Sequence, residues 1–391
     1  MSIKQELSNS RLVANQSLQD LSRPIQSRDG KMWCAATKLV FGAIDFRARI
    51  GRLSTPWAAP SQLEFRPPEL TFIDDNITDL LDQRAAEIVT VAQQRSKTIN
   101  VLWSGGIDST AILVSLLKSL DHSDLEMLTV WMTYASLIEN FDFYRDHLHG
   151  KVTCVNAAEL DITQEFLDKN ILLHGDPGDC VVGPTLGAFR PYIKDGSHLL
   201  SWRDRSDLIY AYFDRNQHNV EGFGQWYVER INQNLRELDI PNIDTITDWW
   251  WWHYFNHKWE FGVWRPLLHN RRDYTKPISL KHQREYAELQ YFNSHRFQLW
   301  SYSNLKNHFR GIEKDINSYK WQFKDYIFEF DRNQNYRDTK PKVTSMALDF
   351  AHNRIGGWRP PLWYDQEFRA RWMWEPGVEE EIIELLEDFR S

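Results

Sequence analysis

One stretch of this chain leaves it little freedom. The apolar run Ile99–Trp103 is followed by Ser104-Gly105-Gly106-Ile107-Asp108-Ser109-Thr110 and then by the apolar segment Ala111–Leu117. The first run reads as a buried strand and the last as a helix, so two glycines sit where a strand hands over to a helix. Such a turn suits an anion. Glycines let the backbone approach a phosphate with no Cβ in the way, the first amides of the helix are fixed donors, and the helix dipole adds partial positive charge. Ser104, Ser109 and Thr110 add hydroxyl donors. Asp108 would repel a phosphate, a conflict that a bound Mg²⁺ resolves. Capping of the helix by Asp108 or Ser109 is the simpler reading of the same residues, yet capping alone does not require Gly105, Gly106 and three hydroxyls together. The string is neither a Walker loop, which ends in Gly-Lys, nor a GxGxxG dinucleotide turn.

Around this loop the apolar period switches repeatedly. A helix is expected over Asp79–Gln94, then the strand Ile99–Trp103, a helix over Ser109–Leu120, a strand Met127–Thr133, a helix around Asn140–Leu148, a strand Val152–Val155, a helix Thr163–Asn170 and a strand Ile171–His174. Alternation with short links predicts an α/β fold in which helices wind a parallel sheet. Beyond about residue 200, helical patterns dominate, at Leu208–Asp214, Trp226–Leu238, Thr247–Phe255, Arg296–Phe309 and Trp321–Phe330. The expected organisation is an irregular N-terminal region over 1–78, with short strands such as Leu39–Ile44, then an α/β domain over 79–203, a mostly helical lobe over 204–374 and an acidic amphipathic helix over 375–391.

Composition narrows the function classes. The 391 residues carry 54 acidic and 46 basic side chains, a net charge of −8 that argues against a general nucleic-acid binder. Cys34, Cys154 and Cys180 stand too far apart for a CxxC pair, which disfavours a disulfide framework or a structural zinc site and suits a reducing compartment. No run reaches the ~20 apolar residues of a membrane span, and the first thirty residues lack the pattern of a signal peptide, so a cytoplasmic location is expected. The excess is aromatic, with 18 Trp, 15 Tyr and 21 Phe. The run Trp249-Trp250-Trp251-Trp252 must point all round a helix, so part of it is core and part is free to line an acceptor pocket. His253 and His257 share a helix face, but a metal site needs a further ligand.

Ser-Gly-Gly-x-Asp-Ser after a buried strand resembles the signature loop of the ATP pyrophosphatase (PP-loop) superfamily. Its members split ATP between the α and β phosphates and activate a substrate as its adenylate. A second segment, Leu172-Leu173-His174-Gly175-Asp176-Pro177-Gly178-Asp179 followed by Cys180-Val181-Val182-Gly183, is similar to the second motif of the asparagine synthetase synthetase-domain group. The resemblance implies that Gly175 lies beside the acyl-adenylate, that Asp176 is near the reacting carboxyl, and that Asp179 shares Mg²⁺ with Asp108. His174, Asp176, Pro177 and Cys180 depart from the family pattern, so the substrate pocket is expected to differ. A buried thiol is the simpler reading of Cys180 than a nucleophile. A third, fainter resemblance covers Tyr319–Ile327, in which Lys324, and after it Lys320, matches the lysine that binds departing pyrophosphate. Tyr336–Lys342 resembles the family's basic segment. Between Lys258 and Lys342 there are 17 Lys and Arg against 10 Asp and Glu, a local basic surplus in an acidic chain. For adenine the resemblance points to Leu102 or Trp103 and to Met132, whose alternative role is core packing.

The implied activity is an ATP- and Mg²⁺-dependent, AMP-forming ligase. It would adenylate a carboxylate and pass it to an amine, with Ser104, Gly105, Gly106, Asp108 and Ser109 on the nucleotide and Lys324 and Asp176 in catalysis. Small-molecule or peptide substrates are expected; nucleic acid is not favoured. The chain starts Met-Ser-Ile, with about 95 residues before the loop, so no glutamine-hydrolysing domain of the family type is expected. Two alternatives stand beside this expectation: a nucleotide- or tRNA-modifying enzyme of lysidine-synthase type, and an ATP-binding scaffold without turnover.

Overall fold

Four short segments, Thr98–Leu102 (β1), Leu128–Met132 (β2), Thr153–Asn156 (β3) and Asn170–His174 (β4), form an all-parallel sheet in the order β3-β2-β1-β4 in a computed structural model of the chain. The structure describes residues 28–36, 48–51, 53, 67–183, 192–193, 195–216, 220–271, 276–308, 312, 318–340, 362–364 and 370–372. The run Leu39–Ile44, the acidic helix over 375–391 and Pro341-Lys342 lie outside the described residues. The residues group by contact into two units. A sheet unit gathers Asp74–Gly178, Asn270–Phe297 and Lys306–Ser391, and a helical unit gathers Met1–Ile73, Asp179–His269 and Gln298–Leu305.

In the sheet unit β1 and β4 are buried along nearly their whole length, as a parallel sheet covered on both faces requires. Register pairs Leu102 with Trp131 on one side and with His174 on the other, so three strands end level with one another. The buried Asn100 is satisfied across the sheet: its Oδ1 accepts from Trp131 Nε1 at 2.8 Å and its Nδ2 donates to Asn170 Oδ1 at 2.8 Å. An unpaired amide there would cost ~1–3 kcal/mol. The helix Ile77–Arg95, capped by Asn76 through Thr78 N, packs on Ile107–Ser119, which also carries Trp321–Asp331. The helix Leu280–Leu289 packs on β4. The buried Tyr291 hydroxyl ties two of these helices together, donating to Leu81 O at 2.5 Å and lying 2.6 Å from Ser115 Oγ.

The expected helix around Asn140–Leu148 differs in detail. A helix spans Tyr134–Glu139, Asn140 breaks it at φ −157°, and Phe141–Phe143 leads into a π-helical turn, Tyr144–Leu148. Asn140 does so because its side chain accepts from Phe143 N at 3.4 Å, the use of an asparagine that favours a cap over a helix interior.

The helical unit is built on Ser206–Asn216, Phe223–Leu238, Ile246–His253, a π-helical turn Tyr254–Lys258 and Trp259–His269. All four tryptophans of 249–252 are buried. Trp249 Nε1 donates to Asn232 Oδ1 at 2.7 Å, Trp251 Nε1 donates to Ser301 Oγ at 2.8 Å, and Trp250 meets Tyr212 edge-on at 4.9 Å. His253 and His257 lie in the same core, their rings 5.6 Å apart, with His253 Nε2 2.9 Å from the Tyr227 hydroxyl.

Burial drives His253 well below its ordinary pKa and pushes His257 down to about 3, so both are neutral in the folded state. On unfolding they take up protons below pH ~6.5. Their contribution to stability is therefore complete above that pH and is lost as pH falls below it, by ~1.4 kcal/mol per pH unit for each histidine. Urea denaturation between pH 7 and 5 should show this decline, shallower in His257→Gln; an unchanged slope in that variant would contradict the assignment.

Candidate active site

The strand β1 delivers the chain to its loop through Trp103, which is fully buried and fixed by Nε1 donating to Thr110 Oγ1 at 3.0 Å. The turn is then held by its own hydroxyls. Ser104 N donates to Ser109 Oγ, Gly106 N donates to Ser104 Oγ, and Ser109 Oγ donates to Gly106 O, each at 3.2 Å. Gly105 sits at φ +73°, where a Cβ would also collide with the Ser136 carbonyl. The helix Ile107–Ser119 has Gly106 as its N-cap, with no side-chain cap, and Asp108 in its first turn. Neither Asp108 nor Ser109 is the capping residue, so the simpler sequence reading does not account for them.

The β4 loop closes on the β1 loop. A Cβ on Gly175 would stand 2.8 Å from Ser109 N and 3.0 Å from Asp108 Cβ, and one on Gly178 would stand 2.7 Å from Asp108 Cβ and Cγ. The 2.8 and 2.7 Å approaches are shorter than real side chains tolerate, so these glycines are required by the packing of the Ile107–Ser119 first turn, Asp108 included, against their backbones. Gly178 N donates to Gly175 O at 2.9 Å and closes the turn. Asp176 lies on this turn, half-buried, and its charge raises the hydroxyl pKa of buried Tyr286 further after burial itself has raised it. The two loops stand at the ends of β1 and β4, the neighbours between which the strand order reverses, and open α/β sheets bind ligands there.

Two ammonium–carboxylate pairs flank the loop. Lys320, the left-handed N-cap of Trp321–Asp331 at φ +55°, donates to Asp108 Oδ2. Lys340 pairs with Glu139, and both side chains are nearly inaccessible. Glu139 lies against the turn: a Cβ on Gly106 would come 3.4 Å from its Oε1. Tyr336 completes the enclosure, its buried hydroxyl donating to Gly105 O at 2.9 Å. Burial holds that hydroxyl well above its ordinary pKa, with the Glu139 charge adding to the effect, so it stays a donor.

Ser104, Gly105, Gly106, Asp108, Ser109 and Gly175 are thus brought together, with Leu102 and Met132 buried at the ends of β1 and β2. Lys324 is buried one turn along the helix from Lys320, and it is Lys320 that reaches Asp108. Asp179 belongs to the helical unit, where Lys258 Nζ is 3.7 Å away. Cys180 is buried, its Sγ 3.7 Å from Tyr254 O, an inert thiol's surroundings. Glu139 carried no sequence signal beyond being an acid in an apolar stretch, whereas Tyr336 and Lys340 lay in the basic segment already singled out.

Among the described residues no group of three or more His, Cys, Asp and Glu is placed to hold a metal ion. Mg²⁺ that arrives with a polyphosphate takes only one or two carboxylates and otherwise phosphate and water oxygens. The oxygen donors at the turn are Asp108, whose Oδ2 accepts from Lys320, and the Ser104 and Ser109 hydroxyls, which bond each other and Gly106. No family model, curated protein or solved structure matches the chain.

Two substitutions test the packing. Gly150, at φ +67°, has nothing within 4 Å of an added Cβ, so Gly150→Ala should cost only its backbone strain, ~1 kcal/mol. Gly105→Ala should cost ~1–3 kcal/mol more through its collision. Equal losses in denaturant midpoints would show that the loop is not packed as described. Lys340→Met, which leaves Glu139 buried without its ammonium, should cost ~3–5 kcal/mol, and adding Glu139→Leu should restore most of it. A single variant as stable as the parent would contradict the pair.

Proposed function

We propose that this chain is an ATP-dependent, AMP-forming ligase that joins a carboxylate to an amine. The observation that carries the proposal is the meeting of two glycine loops where the strand order reverses, with Asp108 packed between them and an ammonium on its carboxylate. The uncapped start of Ile107–Ser119 and the Gly105-Gly106 backbone receive the phosphates, and Ser104 and Ser109 orient them. Asp108 and the two hydroxyls would hold Mg²⁺, which would supply charge neutralisation to the phosphates when bound.

The substrate carboxylate oxygen forms a bond to the α-phosphorus as the α–β phosphoanhydride bond breaks, and pyrophosphate leaves. Lys320 and Lys324, on the first turn of their helix, supply positive charge to the leaving oxygens, the kind of preorganised stabilisation that is worth ~3–4 kcal/mol per donor. The amine then forms the amide bond at the acyl carbon, the bond to the AMP oxygen breaks, and Asp176 takes the proton that the amine loses. Leu102 and Met132 offer apolar contact to the base. The pairing of Asp108 with Lys320 and of Glu139 with Lys340 favours a second reading, a nucleotide-binding scaffold in which these ammonium groups keep the loop in one state.

Incubation with Mg²⁺-ATP and a panel of amino acids and related acids distinguishes the two. Ligation predicts pyrophosphate and AMP in equal amounts, dependent on the added carboxylate and reduced at least ~100-fold in Asp108→Asn. Tight ATP binding with no pyrophosphate from any acid would leave the scaffold.

A further inference from the structure

The sheet unit carries a second group of reactive side chains, at the opposite end of β4 from the glycine turn. Asp168 lies in the last turn of the helix Gln164–Lys169, just before β4 begins at Asn170. Ser279 and His282 open the helix Leu280–Leu289, which packs on it. His282 Nε2 lies 2.7 Å from Asp168 Oδ1, and His282 Nδ1 lies 2.6 Å from Ser279 Oγ. A carboxylate only accepts, so the ring proton sits on Nε2, and Nδ1 is left to accept from the serine hydroxyl. This tautomer makes His282 a base toward Ser279, oriented by Asp168. The hydrogen bond from His282 in turn holds the Asp168 carboxyl below its ordinary pKa, so it stays ionised.

Helix capping does not account for this group. Ser279 is the N-cap of Leu280–Leu289 and its Oγ accepts from His282 N at 3.4 Å, but the ring nitrogen is the closer partner, and a cap has no use for the carboxylate behind the ring. The serine backbone is fixed independently. Ser279 N donates to Gln164 Oε1 at 3.2 Å, and the buried Gln283 donates through Nε2 to Ile278 O at 2.7 Å. Gln164 and Asp168, on one helix, therefore hold the serine and the histidine of the other in a single geometry. Ser279 is exposed, and Leu280 and Lys281 follow it with the first amides of the helix, which no carbonyl of that helix takes up. Such donors beside a nucleophile suit the oxyanion of acyl transfer. A small cleft beside His282 is lined by Leu167, Ile171 and Leu289, with Lys97 and Glu285 paired to each other along it. Its apolar walls and its size suit a short acyl chain.

We propose that Ser279, His282 and Asp168 form a second catalytic site, which hydrolyses esters of short-chain carboxylic acids independently of any chemistry at the glycine loops. Ser279 Oγ forms a bond to the acyl carbon as its proton passes to His282 Nδ1. The bond between that carbon and the alcohol oxygen then breaks, and the alcohol leaves with the proton. In the second half a water oxygen bonds to the acyl carbon and gives a proton to Nδ1. The bond from the carbon to Oγ breaks, Ser279 recovers the proton, and the carboxylic acid departs. Ser279 and His282 are the catalytic residues, and Asp168 is a positioning residue that acts through the imidazole.

Treatment of the full chain with p-nitrophenyl acetate, in the absence of nucleotide, tests the assignment. The parent should release a burst of p-nitrophenolate and carry an acetyl group on Ser279 in peptide mass spectra. Ser279→Asn, which keeps a capping side chain and so the start of the helix, should abolish both the burst and the adduct. His282→Gln should slow acetylation of Ser279 at least ~100-fold. Asp168→Asn should lower kcat at least ~10-fold with KM unchanged, and Asp168→Glu should restore part of that loss. Hydrolysis at the parent's rate in Ser279→Asn, acetyl groups found only on other residues, or no acetylation of the parent overturns the proposal. None of these results depends on whether the glycine loops bind ATP.

Discussion

Asp108 packs against two stretches of backbone that have no side chains, and the rest of the site follows from that contact. Gly175 and Gly178 let the β4 turn close to within van der Waals distance of the first turn of Ile107–Ser119. The closure can only form where β1 and β4 are neighbours, and they are neighbours because β2 and β3 were laid down on the other side of β1. Open α/β sheets bind ligands at such a place, beyond the carboxyl ends of the strands. Strand order, glycine positions and the placing of one carboxylate are therefore one constraint seen at three scales.

The second organising force is charge taken out of water. A lysine as inaccessible as Lys320 or Lys340 is stable only against a carboxylate, and Asp108 and Glu139 supply those carboxylates from either side of the loop. A buried pair adds little net stability, because desolvation offsets the attraction, but breaking it is expensive. Its effect is to specify an arrangement. Residues 320–340, more than two hundred positions from the loop in sequence, reach it through Lys320, Lys340 and the Tyr336 hydroxyl.

The sheet was readable because buried strands and amphipathic helices announce themselves by period. Ile99–Trp103 was expected where Thr98–Leu102 is found, Met127–Thr133 where Leu128–Met132 is found, and Trp321–Phe330 where Trp321–Asp331 is found. The loop between β1 and its helix was legible for the same reason, since Gly105-Gly106 between two apolar runs has few other uses. What period cannot carry is partnership over long separations. Nothing local in Glu139 points to Lys340, and Lys324 matched a motif better than Lys320 although the left-handed backbone at Lys320 is what turns that residue toward Asp108. The π-helical turns at Tyr144–Leu148 and Tyr254–Lys258 were also invisible, because both continue helical patterns whose apolar spacing does not register one extra residue per turn.

In the proposed ligase the backbone between Ser104 and Ser109 grips a nucleotide's phosphates. Amide hydrogen exchange along this segment, compared with and without Mg²⁺-ATP, tests it most directly. Slowed exchange at Gly105 through Ser109, with AMP alone giving a weaker effect, is the result expected of a phosphate-binding loop. Saturating Mg²⁺-ATP that leaves these amides unchanged while protecting another region would contradict it.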